Sequence, residues 1–202
     1  MKKQNTSIVL VLLTALFVFL QGCNAPSKEK TAEEVHMTAS DEELAPPSEP
    51  RYQTEEKFKA QITDVFKAYV ELKDALVKGD LTAVKASGLK MSEMLARTDH
   101  QQLKGAAHLD WNMYSEGLAD YLSRLAAAPD ISSSRNLLQG LTENMYNSIK
   151  AFGLNGVSAY YEYCPMAFNN RGGYWLSDEK KIRNPYFGDA MLECGGVREQ
   201  LK

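Results

Sequence analysis

Thr54-Glu55-Glu56-Lys57-Phe58-Lys59-Ala60-Gln61-Ile62-Thr63-Asp64-Val65-Phe66-Lys67-Ala68-Tyr69-Val70-Glu71-Leu72-Lys73-Asp74-Ala75-Leu76-Val77-Lys78-Gly79-Asp80 decides the fold. Phe58, Ile62, Val65, Tyr69, Leu72 and Leu76 recur in steps of four and three, which puts one apolar stripe along a helix. Thr54 suits the N-cap, and Glu55 and Glu56 suit the positive end of the helix dipole. Gly79 is a stop, and Asp80 is a cap for the next helix, which carries Leu81, Val84, Met91 and Leu95. Asp99 is expected to cap a third helix bearing Leu103, Ala107, Trp111, Tyr114, Leu118, Tyr121 and Leu125. Pro129-Asp130 interrupts it and caps a fourth, with Leu138, Leu141, Met145, Ile149 and Phe152 as its stripe and Gly153 as its end. Four amphipathic helices on short connections predict an all-α domain, an antiparallel up-down four-helix bundle over residues 54–153. Met91, Met94, Met113 and Met145 lie on or beside the stripes and are expected to fill the core.

Downstream, residues 154–202 lose the helical period. Val157 to Phe168 is rich in Tyr and strand formers, and Asn169-Asn170-Arg171-Gly172-Gly173 is turn chemistry before Tyr174-Trp175-Leu176. A short β-hairpin in an otherwise irregular extension is expected, packed on the bundle through its aromatic residues. Asn184-Pro185 opens a turn that Gly188 can close, and Asp189 to Cys194 is read as a turn or two of helix ended by Gly195-Gly196.

Upstream, Met1-Lys2-Lys3 precedes an apolar run from Ile8 to Leu20 and then Gln21-Gly22-Cys23. The run is short for a transmembrane span and has the flanks of a signal peptide, residues 1–22. Gly22-Cys23 has the form of a lipobox, with Cys23 the lipid-modified residue. Residues 23–53 hold Pro26, Pro46, Pro47 and Pro50 among Lys, Glu, Ser, Thr and Asp, and are expected to be a solvated tether. The protein is therefore expected to be exported and lipid-anchored in the cell envelope, facing the periplasm from the outer membrane. Loss of Lys2 and Lys3 with the leader leaves 21 basic against 26 acidic side chains, a net of −5. Such a domain does not attract phosphate backbones, which argues against a nucleic-acid partner.

With Cys23 lipidated, Cys164 and Cys194 remain as an even pair outside the cytoplasm. On an extended strand Cys164 and Met166 would point to one side, and Pro165 favours that extension. On a helical turn Met191 and Cys194 would also share a face. Two thiols and two thioethers form a soft donor set suited to Cu(I), with zinc open to the thiolates. His108, one turn from Trp111, is a further candidate ligand. The same spacing suits, and by itself favours, one structural disulfide pinning a segment with little core of its own. Only His36, His100 and His108 could supply the imidazole of a histidine-assisted cysteine nucleophile, and a bundle histidine would have to reach Cys164. There is no phosphate-cradling glycine loop, nucleophile elbow or carboxylate pair, so no enzyme activity is expected.

Tyr163-Cys164-Pro165-Met166-Ala167, Tyr174-Trp175-Leu176-Ser177, Ile182-Arg183-Asn184-Pro185-Tyr186-Phe187-Gly188 and Met191-Leu192-Glu193-Cys194-Gly195 resemble the domain-of-unknown-function 3347 family. Tyr69-Val70-Glu71-Leu72-Lys73-Asp74-Ala75-Leu76 looks similar too, so the resemblance runs over about residues 55–200. It implies an exported lipoprotein, or a module akin to the C-terminal extension of periplasmic adaptors in heavy-metal efflux. It also implies an efflux adaptor or another envelope protein as partner. Cys164-Pro165-Met166 further resembles the start of small heavy-metal-binding domains in such adaptors. Ala167 and Phe168 stand where those domains have His and Pro, so one ligand of that set is absent.

Two functions from different classes follow. The first is a lipoprotein that binds a soft metal ion, most readily Cu(I), for tolerance or efflux. Its ligands would be Cys164, Met166, Met191 and Cys194, with Trp175, Tyr163, Tyr186 and Phe187 as a packing shell. The second is a non-enzymatic interaction module with a Cys164–Cys194 disulfide and no metal.

Overall fold

A computed structural model describes residues 45–202. The leader, Cys23 and most of the expected tether lie outside the described residues. Helix α1 (Glu56–Lys78) buries the whole stripe: Phe58, Ile62, Val65, Tyr69, Leu72 and Leu76 are each at most 1% exposed. At about 1.5–3 kcal/mol per large apolar side chain, that stripe is the main reason the helix forms in water. Gly79 ends it in the left-handed region (φ 68°), and its amide reaches the carbonyls of Ala75 and Leu76. Asp80 then caps α2 (Leu81–Ala96), its carboxylate accepting from the Ala83 amide at 3.0 Å. Asp130 caps α4 (Ile131–Phe152) in the same way, accepting from Ser133 at 2.7 Å.

The third helix departs from expectation. Helix α3 runs Gly105–Ala126, and Asp99 does not cap it. Gly105 has φ 55°, a left-handed kink that separates Asp99 from the helix. Asp99 pairs instead with Lys57 at 3.1 Å, while Leu103 is buried in the connection. Consecutive helices pack in up-down order and α4 closes against α1, giving one core with Trp111, Leu118, Leu125, Leu138, Met145 and Phe152. Met91 and Met145 are fully buried, but Met113 is 56% exposed and fills no core.

The end of the expected tether is not wholly solvated. Arg51 and Tyr52 donate backbone hydrogen bonds to the carbonyls of Lys150 and Ala151 at 3.1 and 2.8 Å. The Tyr52 ring packs on Phe152 and its hydroxyl donates to Asp110 at 2.8 Å.

The C-terminal extension forms a small three-stranded antiparallel sheet of order β2-β1-β3, rather than a hairpin alone. Strand β1 (Ala159–Cys164) lies at its centre, β2 (Gly173–Ser177) on one side and β3 (Gly196–Leu201) on the other. Glu162 lies opposite Trp175, and Cys164 opposite Gly173. Against β3, Tyr161 pairs with Glu199 and Glu162 with Val197, so Arg198 bulges out between them. The outer edge of β2 is sealed by helix side chains. The Leu176 amide donates to the Tyr69 hydroxyl at 3.2 Å, and the Tyr174 amide to Gln139 Oε1 at 2.9 Å. Among the described residues no helix is long and apolar enough to cross a membrane.

Candidate functional site

Strand alternation divides the sheet into two faces. One carries Tyr161, Tyr163 and Tyr174, all half-buried, with Tyr174 stacked on Tyr161 at 4.6 Å and tilted against Tyr163 at 4.5 Å, and Tyr146 of α4 stacked on Tyr161 at 4.2 Å. Burial, and then the neighbouring Tyr174, push the Tyr161 hydroxyl up to about 12. The other face carries Glu162, Cys164, Gly173 and Trp175, all buried. The segment between β2 and β3 crosses this second face and brings Cys194 to it.

Cys164 Sγ and Cys194 Sγ lie 2.8 Å apart, with Cys164 buried and Cys194 partly exposed. Two features hold the crossing in register. Asn184, fully buried, donates from Nδ2 to the Cys194 carbonyl at 2.8 Å and accepts from the amides of Tyr186 and Phe187. Its own amide donates to the Leu192 carbonyl, and Gly188 closes the expected turn onto the Asn184 carbonyl at 3.0 Å. At Gly195 a β-carbon would lie 2.9 Å from the Trp175 ring and from the Tyr163 carbonyl, so only glycine passes there unhindered. Desolvation, then the adjacent Cys164, push the Cys194 thiol up to about 11. That favours the thiol over the thiolate at neutral pH.

The methionines come together, but in a different setting from the one expected. Strand β1 ends at Cys164, so Met166 falls in the following turn rather than on the cysteine's strand face. A 3₁₀ turn (Gly188–Ala190) precedes Met191, and the Cys194 amide reaches the Met191 carbonyl at 3.2 Å. Met166 and Met191 both line a cleft of about 600 Å³, which neither cysteine lines. The thiol pair and the thioether pair are thus neighbours rather than one shell. His108 is remote from both. It sits with His100 at a ring separation of 6.0 Å, beside the Trp111 that packs on Phe58. The cysteine-bearing segment meets α1 at its other end, where a β-carbon on Gly188 would lie 2.6 Å from the Val77 carbonyl. About 27 Å of helix separates Phe58 from Leu76.

The donor set is a partial match to a soft metal. Among the described residues no three His, Cys, Asp or Glu side chains gather as a metal cluster. One ion bonded to both sulfurs at about 2.3 Å across a 2.8 Å gap would subtend about 75°, far below the tetrahedral angle. Metal binding therefore requires the thiols to part, whereas disulfide formation requires them to close slightly.

One buried group on this face escaped the sequence reading. Glu162 is fully buried, and neither carboxylate oxygen has a hydrogen-bond partner. Desolvation is the main cause that raises its pKa to about 8, opposed by the charge of Lys73. The neighbouring Trp175 indole N–H favours the ionised form but also lies outside hydrogen-bond geometry. Lys73 is itself 1% exposed and directed to Asp74 at 2.7 Å, which Arg183 also reaches at 3.3 Å. The period-two rule that relates Glu162 to Cys164 was the available signal.

Fold and site together define an up-down helical bundle whose terminal sheet carries a paired-cysteine clasp. Residues 65–156 match the family described as "Protein of unknown function (DUF3347)", so the chain carries a domain of that family. The match covers most of α1 and all of α2 to α4 and ends before β1, leaving the clasp outside it. No curated protein and no solved structure matches the chain.

Proposed function

We propose that the protein is a non-enzymatic, lipid-anchored module of the cell envelope in which Cys164 and Cys194 close as a structural disulfide. The observation that carries this reading is the 2.8 Å sulfur separation on a buried sheet face. Closing a span of 30 residues would stabilise the fold by about 3–4 kcal/mol, through restriction of the unfolded chain. The leader and Gly22-Cys23 support export and anchoring. The half-exposed tyrosine stack supports docking on an envelope protein, such as a heavy-metal efflux adaptor.

A second reading, Cu(I) binding, is favoured by one specific observation: Met166 and Met191 share one cleft beside the cysteine-bearing segments. The two are separated by a thiol count on the mature protein, purified with and without oxygen and read by intact mass. The disulfide reading expects a mass two hydrogens light, no reactive thiol and no copper uptake. Two free thiols that become protected with one bound copper would replace it with the metal reading. Free thiols that take up no copper under any condition would overturn both.

A further inference from the structure

We propose that the cleft between the start of α4 and the turn after β1 binds a small ligand with an oxyanion head, carboxylate or phosphate, on an apolar body. The cleft is lined on its polar side by Ser132, Arg135, Asn136, Asn169, Asn170 and Arg171. Phe168, Tyr186, Phe187 and the two methionines supply the apolar side. At about 600 Å³ it has the size of a small-molecule pocket.

Its charge is uncompensated. No acidic residue lines the cleft, and among the described residues neither Arg135 nor Arg171 makes an ion pair. One terminal nitrogen of Arg135 donates to the Leu76 carbonyl at 3.0 Å, but its Nε is buried without any partner. Burial acts on this guanidinium with no carboxylate to offset it. The whole chain carries a net charge of −3, so two unpaired arginines at one cleft are a local arrangement and not a sample of a basic surface. Partly desolvated guanidinium groups give carboxylates and phosphates their strongest hydrogen bonds.

The rim of the cleft is strained. Phe168, Asn169 and Asn170 all take left-handed backbone, with φ of 53°, 58° and 64°. Asn tolerates this region, but a bulky residue such as Phe rarely adopts it. The turn is tied by the Gly172 amide to the Ala167 carbonyl at 2.9 Å, and Arg171 Nε holds the Phe168 carbonyl at 3.1 Å. The strained turn presents two amide side chains and a guanidinium to the cleft, as expected where a binding geometry is held against local preference.

The test is calorimetric titration of the mature protein with benzoate, phenyl phosphate, inorganic phosphate and, as a cationic control, benzylamine. Saturable one-site binding is expected for benzoate or phenyl phosphate, with weaker binding of inorganic phosphate and none of benzylamine. The preferred head then identifies the carboxylate or the phosphate source. Arg171 is exposed, so Arg171→Gln should leave the bundle and sheet folded, checked by circular dichroism because it also removes the tie to the Phe168 carbonyl, and weaken binding by about ten-fold or more. Arg135→Gln should weaken it at least as much. No saturable binding of any anion, or affinity unchanged in both variants, would overturn the proposal. Because the cysteines do not line the cleft, either result stands whatever the thiol count gives.

Discussion

Replacing Glu162 with Gln should stabilise the protein at neutral pH and leave it unchanged in acid. The folded protein holds the Glu162 proton up to about pH 8, while the unfolded chain releases it near 4.5. Between those values the unfolded state binds fewer protons than the folded state, so stability falls as pH rises through that window. The full effect is about 5 kcal/mol across the window and about 3 kcal/mol at pH 7. Gln has the shape of the neutral acid and no titration, so it removes the slope without opening a cavity. Urea denaturation of wild type and Glu162→Gln from pH 4.5 to 8.5, with the cysteines held in one redox state, reads the difference directly. Contributions from every other titrating group cancel in that difference. Curves that coincide in acid and diverge with rising pH, the variant above, are expected. Parallel curves would refute the buried-acid account. A variant weaker than wild type at pH 7 would mean that Glu162 is ionised and stabilised by Lys73.

Two other substitutions probe how the sheet is fastened to the bundle. Tyr69→Phe deprives the buried Leu176 amide of its acceptor and Thr142 of its 2.6 Å partner. A loss of about 1–3 kcal/mol is expected in urea, with faster hydrogen exchange at Leu176; unchanged exchange there would show that β2 is not sealed by α1. Gly188→Ala puts a β-carbon 2.6 Å from the Val77 carbonyl at φ 57°. At least about 1 kcal/mol should be lost from the backbone conformation alone, and a variant as stable as wild type would contradict the docking of this segment on the end of α1.

The bundle was legible because its information is local. The stripe on α1 and the caps at Asp80 and Asp130 each depend on residues three or four apart, and each stands as read. Asp99 misled because it has the composition of a cap, while the deciding residue was Gly105, whose left-handed backbone moves the start of α3. Strand β3 was invisible for a different reason. Gly196-Val197-Arg198-Glu199-Gln200-Leu201 has little apolar alternation of its own, and it becomes a strand because β1 offers a free edge. The docking of Arg51 and Tyr52 is equally non-local, since Lys150, Ala151 and Phe152 are nearly a hundred residues downstream.

The site divides along the same line. Cys164 and Cys194 were candidates for one another because they are the only two cysteines beyond Cys23, and the structure brings their sulfurs to 2.8 Å. The methionine arrangement did need geometry, because extending β1 through Pro165 would have kept Met166 beside Cys164, and the chain turns there instead. Glu162 sits two residues before Cys164 on the same strand, so a buried Cys164 implies a buried Glu162 wherever β1 is regular. Composition pointed the other way, since a glutamate among tyrosines reads as a solvent-facing residue. Register outweighs composition here because slipping β1 by one residue would expose Glu162 but also turn Cys164 away from Cys194. The cost of burying a neutral acid is thus bound to the pairing of the cysteines, and the fold holds one only by accepting the other.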